Sequence, residues 1–253
     1  MFCASPGVTK AHVFARSFTT LFDDPDDPRE HEVRHDYVDP DTGERHVIKR
    51  ARTFALIARR VCGDNCNSGW LRELEEEVRP ILGHFARNKP LALDQNQQAL
   101  LALWTICAVL ISFELPNVVN EHRFADPALA HEVYAERRPP VGTQIWLGAN
   151  PHGEMGWFGS HSLTVPGSTS TRQPFGTALS FGYAILHTVY HGERGRLIRL
   201  HYDPHRALKQ IWPLQRQVAW PPPLLIRPRD MSPLAYEIAN NSDWAPIKAK
   251  DAD

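Results

Sequence analysis

The sequence predicts an α+β protein: a cysteine-bearing N-terminal module, a helical middle and a C-terminal antiparallel sheet. Three observations carry this. Apolar positions recur at helical spacing from Trp70 to Phe85, and a charge-free apolar run, Ala99–Phe113, follows a helix-capping signal. Beyond Pro139-Pro140 the chain changes to short stretches rich in Trp, Phe, Ile, Val and Thr, broken by Gly, Pro and Ser, which is strand texture. Finally, Cys62 and Cys66 sit in a turn that runs directly into the first helix.

Length and composition bound the rest. A chain of 253 residues allows one large domain or two modest ones. Apolar residues at 42 %, with 15 glycines, lie in the globular range and exclude global disorder. The 21 prolines argue for many turns and against a long-helix protein. Lys and Arg total 28 against 29 Asp and Glu, so a uniformly basic coat is excluded and any nucleic-acid site must be a local patch. Ala99–Phe113 is shorter than the roughly 20 residues a membrane span requires and is flanked by Gln95–Gln98 and Glu114. It reads as a buried core helix, and no membrane partner is expected. Met1–Lys10 has no basic segment followed by an apolar stretch, so no signal peptide is expected. Four cysteines are too few for a disulfide scaffold, and the close pair suggests metal in a cytoplasmic chain.

Along the chain, residues 1–22 are short and mixed, and Asp23–Glu32 is an acidic, proline-punctuated loop. Val33–Val38 and His46–Lys49 are predicted strands around the turn Asp39-Pro-Asp-Thr-Gly-Glu44, with a third strand over Phe54–Ala58. The helix over Gly69–Arg87 keeps Glu73, Glu76 and Glu77 outside, sets Glu75 four residues before Arg79, and is expected to kink or split at Pro80. Asp94 and Gln97 make a capping box for a helix to about Glu114. Asp126-Pro127 opens a third helix to Arg137. Strands follow over Thr143–Gly148, Gly156–Val165, Thr177–Val189 and Leu197–His201. Ile211-Trp212-Pro213 and Trp220-Pro-Pro-Pro223 are extended but cannot be central strands. Ser232-Pro233 is expected to cap a short last helix, and the tail from Asn240 to fray.

The chemistry is concentrated in Val61-Cys-Gly-Asp-Asn-Cys-Asn-Ser-Gly-Trp70. Two thiolates on a knuckle that opens a helix can grip Zn²⁺ at about 2.3 Å, and the helix N-terminus favours the negative site. At the other end of the module, Cys3 is followed by Ala11-His12-Val13-Phe14-Ala15-Arg16. Together the two segments, within about residues 1–80, resemble the HNH or ββα-metal nuclease superfamily. In that family a Cys pair precedes an acidic-His-Val/Ile-x-Pro-Arg block, and a second Cys pair is followed at once by Asn or His opening the helix.

The resemblance implies a treble-clef-like ββα zinc module over 1–90 and an α+β domain of unassigned role over 91–253, with a boundary near 140 as the weaker alternative. It also implies that His12 is the general base and that Asn67 helps hold a catalytic divalent metal, Mg²⁺, Mn²⁺ or Ni²⁺. Cys3, Cys62 and Cys66 would be structural zinc ligands, and Arg16 belongs to the first block. The implied activity is metal-dependent cleavage of nucleic-acid phosphodiesters, DNA before RNA. Ala11 stands where the family has an acidic ligand, Ala15 where it has proline, and Arg52–Arg60 contains no Asn. Restoring an acid at Ala11 is therefore expected to strengthen divalent-metal binding. An in-frame Cys codon just upstream of Met1 would complete the first pair. The alternatives are a non-catalytic zinc module that binds nucleic acid and a protein–protein adaptor working through its C-terminal sheet.

Several other residues have a functional and a plain reading. Arg45, Lys49, Arg50, Arg52, Arg59 and Arg60 carry no intervening acid and form either a phosphate-binding patch or a solvated strand face. His31, His35 and His46 are substitute ligands or surface imidazoles. Cys107 belongs to the core of its helix. His187 and His191, four apart, would lie about 13 Å apart on a strand and so do not make a metal pair. Trp146, Trp157, Trp212 and Trp220 form an aromatic binding surface or fill a sheet core. Ser160-His161-Ser162 lacks the setting of a hydrolase triad.

Overall fold

A computed structural model describes residues 2, 9–22, 33–38, 45–51, 57–63, 66–114, 126–151, 156–162, 171–192, 196–199, 207–226 and 243–246. The chain is α+β, and its strand ladders are antiparallel. In order, β1 is Thr9–His12, followed by a 3-10 helix, Arg16–Leu21. Then come β2, Val33–Val38; β3, Arg45–Ala51; and β4, Ile57–Cys62. A π-type turn, Cys66–Trp70, leads into α1, Leu71–Ala86. β5, Leu91–Leu93, precedes α2, Gln95–Ser112, and α3, Pro127–Glu136. The C-terminal half holds β6, Thr143–Ala149; β7, Gly156–Ser162; β8, Phe175–Phe181; and β9, Ala184–Tyr190. β10, Arg196–Arg199; β11, Lys209–Trp212; β12, Val218–Trp220; and β13, Asp243–Pro246, complete it.

Helix ends follow the capping chemistry closely. Asp94 accepts from the Gln97 backbone N–H at 2.8 Å, and the Gln97 side chain accepts from the Asp94 N–H at 3.1 Å. Asp126 caps α3 by accepting from the Ala128 N–H at 2.9 Å, with Pro127 at the first helical position. Pro80 does not split α1. It lies on the exposed side of a helix that continues through it, with Val78, Ile81 and Leu82 buried on the other side. The Glu75–Arg79 pair does not form either: the Arg79 guanidinium donates to the Ser17 carbonyl and the Thr20 hydroxyl of the 3-10 helix. Arg72 and Glu76 make the (i, i+4) pair instead, at 2.9 Å.

The predicted strand over Thr177–Val189 is two strands. β8 and β9 form a hairpin that turns at Gly182-Tyr183, pairing Phe181 with Ala184. Uniform apolarity across the turn hid it, while Gly182, at φ +58°, supplies the left-handed residue. The hairpin is central to a five-stranded sheet ordered β11-β6-β9-β8-β7. β11 is its edge strand, and among the described residues β12 pairs only with β5, in keeping with the flanking prolines. Asp243–Pro246, inside the tail expected to fray, pairs with β10. The expected Ser232-Pro233 helix lies outside the described residues.

One hydrophobic core runs through the described residues on both sides of position 90, from Phe2 through Phe85 and Trp104 to Trp220. At its centre Phe181 meets Phe14, Phe18, Phe22 and Trp104, with ring centroids 5.2–5.9 Å apart. β6, β8 and β9 are buried along their whole length, and Trp146 and Trp220 are buried with them. Trp212 is partly buried against the core, whereas the Trp157 side chain lies outside the described residues. Cys107 is buried in α2, as expected. The buried Gln98 is fully engaged: its amide donates to the Leu93 and Gln215 carbonyls and accepts from the Gln215 N–H.

Gly182 also fixes how the sheet meets α1. The Tyr183 N–H donates to the Phe85 carbonyl at 3.0 Å. A Cβ on Gly182 would stand 2.7 Å from the Ala86 Cα and 2.8 Å from the Phe85 oxygen. Both are backbone atoms and cannot turn aside. Gly182→Ala combines that clash with a left-handed φ and is expected to destabilise the fold by about 3 kcal/mol, read by denaturant unfolding. A loss below about 0.5 kcal/mol, the range of an ordinary surface substitution, would show that the hairpin does not dock on α1 as described.

Candidate functional site

β1 and β4 pair, and β4 leads through the cysteine turn into α1, giving a strand–strand–helix order with β2–β3 inserted between the two paired strands. The expected strands over Val33–Val38 and His46–Lys49 are β2 and β3, the third runs over Ile57–Cys62 rather than Phe54–Ala58, and β1 was not expected. The first strand, β1, was hidden because four mixed residues carry no period. Within the ladder Thr9 faces Cys62, Ala11 faces Ala58 and His12 faces Ile57. His12, half-buried, is the last residue of its strand.

Cys62 ends β4 and Cys66 begins the turn. The Gly63 carbonyl accepts from both the Cys66 N–H (2.9 Å) and the Asn67 N–H (3.1 Å), so the chain folds back at once between the two cysteines. Cys66 is buried, 1 % exposed. The turn leaves helical geometry at Gly69 (φ −97°, ψ −112°) before α1 begins. Phe2 is fully buried and meets the Trp70 ring edge-on at 5.6 Å, so the N-terminal residue next to Cys3 is anchored against the cysteine turn. Cys3 itself and the Cys62 and Arg16 side chains lie outside the described ones. Among the described residues no group of three or more His, Cys, Asp or Glu is placed to hold a metal ion.

Ala11 changes one expectation. It is 1 % exposed and belongs to the core. A carboxylate introduced there would enter apolar surroundings, so an acid at this position is expected to disturb the fold before it helps a metal.

The basic residues divide between two ladders. Arg45, Lys49 and Arg50 lie in β3, opposite Val38, His35 and Arg34 of β2. Arg59 and Arg60 lie in β4, and Arg52 is outside the described residues. His35 and His46 fall on the β2–β3 ladder, and His31 is outside the described residues. In the C-terminal sheet His187 and His191 are both buried, and His187 stacks at 5.9 Å on Trp146 of the neighbouring strand. Ser160, His161 and Ser162 are strand residues of β7.

Two features beside the knuckle had no sequence signal. Trp70, the last residue of the cysteine turn, meets Tyr134 of α3 at 5.6 Å, and Arg137 lies over both rings. The pairing joins positions more than sixty residues apart. The second is Glu75 on α1, half-buried and without an ion-pair partner among the described residues. Burial, and then the neighbouring Glu76 charge, push its carboxyl up to about 7. Because the folded chain then holds this proton more tightly than the unfolded chain, stability falls as pH rises from about 4.5 to about 7. Glu75→Gln mimics the protonated form. It is expected to melt above wild type on the alkaline side of that window and together with it on the acid side. A constant difference across pH would remove the assignment.

No helix among the described residues is long and apolar enough to cross a membrane. Comparison of the chain with models of known families, with curated proteins and with solved structures returned no match.

Proposed function

We propose that the chain is an HNH-like ββα zinc protein that cleaves phosphodiester bonds of nucleic acid, DNA before RNA. The single observation that supports this best is the β1–β4–α1 order, with His12 at the end of the first strand and the Cys62–Cys66 turn opening the helix. In this reading Cys3, Cys62 and Cys66 hold a structural zinc. Thiolates are the donors a structural zinc takes, and this reading is supported by the buried Cys66 in its turn and by the anchored Phe2 next to Cys3. Asn67 offers an amide oxygen of the kind that Mg²⁺, Mn²⁺ or Ni²⁺ accepts alongside phosphate oxygens. Such an ion, when bound, neutralises charge that develops on the phosphate. His12 draws the proton from the attacking water, a task suited to an imidazole near neutral pH.

A second reading is a non-catalytic zinc module that binds nucleic acid. It is favoured by the burial of Ala11, which removes one family ligand and directs that position into the core. Both readings place Arg16, Arg45, Lys49, Arg50, Arg52, Arg59 and Arg60 against phosphates. Replacing Lys49, Arg50 and Arg52 together by Gln is expected to weaken binding to a DNA duplex regardless of its sequence. The salt slope should flatten by up to about 0.9 per lost phosphate contact. Unchanged affinity and slope would leave the patch a solvated face and remove the main electrostatic support for nucleic acid.

A further inference from the structure

We propose that Arg137 is a phosphate-binding residue of the knuckle face, although it lies far outside the 1–90 module. The proposal rests on the nucleic-acid reading above. Arg137 closes α3 in the left-handed region, at φ 53° and ψ 37°, where glycine is the least costly residue. Its guanidinium carbon lies 4.2 Å from the centre of the Trp70 ring and 4.3 Å from that of Tyr134, in the corner the two rings form. Trp70 belongs to the turn that carries Cys66 and Asn67, so this contact brings a fixed positive charge to the cysteine turn.

The neighbouring arginines are otherwise engaged. Arg138 pairs with Glu136 at 3.0 Å, Arg72 with Glu76, and Arg172 with Glu132 and Asp126. Arg137 is exposed; its backbone N–H donates to the Val133 carbonyl, while its guanidinium has no carboxylate or other hydrogen-bond acceptor among the described residues. The two ring contacts hold the guanidinium in this corner and leave its N–H groups for a ligand. The group is a planar fork that matches two oxygens of one phosphate, and the ring contacts limit its motion before the ligand arrives.

The test is fluorescence anisotropy of a labelled DNA duplex over a series of salt concentrations, with melting curves for each variant. Arg137→Gln should bind about tenfold more weakly, with the salt slope smaller by about 0.9. Arg137→Lys should keep the slope, since the charge remains, yet bind about threefold more weakly, since the planar fork is lost. The charge-neutral double change Glu136→Gln with Arg138→Gln should bind like wild type. If Arg137→Gln melts lower but binds with wild-type affinity and slope, Arg137 is only a clasp; the proposal then falls while the nucleic-acid reading stands. Should Arg137→Gln not fold, Arg137→Lys decides, and wild-type affinity in that variant overturns the proposal. Absence of duplex binding by wild type overturns both.

Discussion

Protein purified without chelator is expected to carry about one zinc per chain, and the Cys62→Ser, Cys66→Ser double variant none. Size of effect separates this from the plainer view that Cys66 is a small buried residue. Cys66 is 1 % exposed in the core, so losing its packing alone should cost about 1 kcal/mol, a shift of roughly 3 °C in melting for a chain of this length. A bound ion at a thousandfold excess over its dissociation constant contributes about 4 kcal/mol, or roughly 10 °C or more. Chelation of wild type should therefore lower its melting temperature by that larger amount and leave the double variant unmoved. Equal zinc in the two proteins, or a melting curve insensitive to chelator, would reduce Cys66 to a core thiol. Cys3→Ser then asks whether the N-terminal cysteine shares the ion.

His12→Ala is expected to slow cleavage by about 10²–10⁴, the usual contribution of a general base, equivalent to roughly 3–5 kcal/mol of barrier. Zinc content and melting should change little, since His12 ends its strand half-buried rather than in the core. Plasmid nicking with Mg²⁺, Mn²⁺ or Ni²⁺ against EDTA is the assay. Metal-dependent nicking that persists in His12→Ala would take the role from His12. No nicking by wild type, with duplex binding and zinc intact, would select the non-catalytic module.

Local chemistry was legible in the sequence where a side chain acts on its own backbone or sets a period. The Asp94–Gln97 capping box and the Asp126-Pro127 helix start require neighbours only three residues apart. Trp212-Pro213 and Trp220-Pro221 announced edge or short strands because proline lacks a donor for a central ladder. The charge-free run of α2 foretold a helix buried all round, since an apolar stripe on every face must be covered.

Tertiary structure decided what depends on distant partners. Glu75 and Arg79 stand at ideal helical spacing, yet the 3-10 helix Arg16–Leu21 offers Arg79 fixed oxygen acceptors and takes it away. Pro80 remains within one helix because core contacts on both sides outweigh one missing hydrogen bond. The division of Thr177–Val189 depends on Gly182 meeting the α1 backbone, a contact no local window contains. At the candidate site, sequence named His12, Asn67 and the cysteines through motif spacing, but could not know that Ala11 faces the core. Nor could it unite Trp70, Tyr134 and Arg137, because hydrophobic burial brings α3 onto the cysteine turn and leaves no trace in either segment alone.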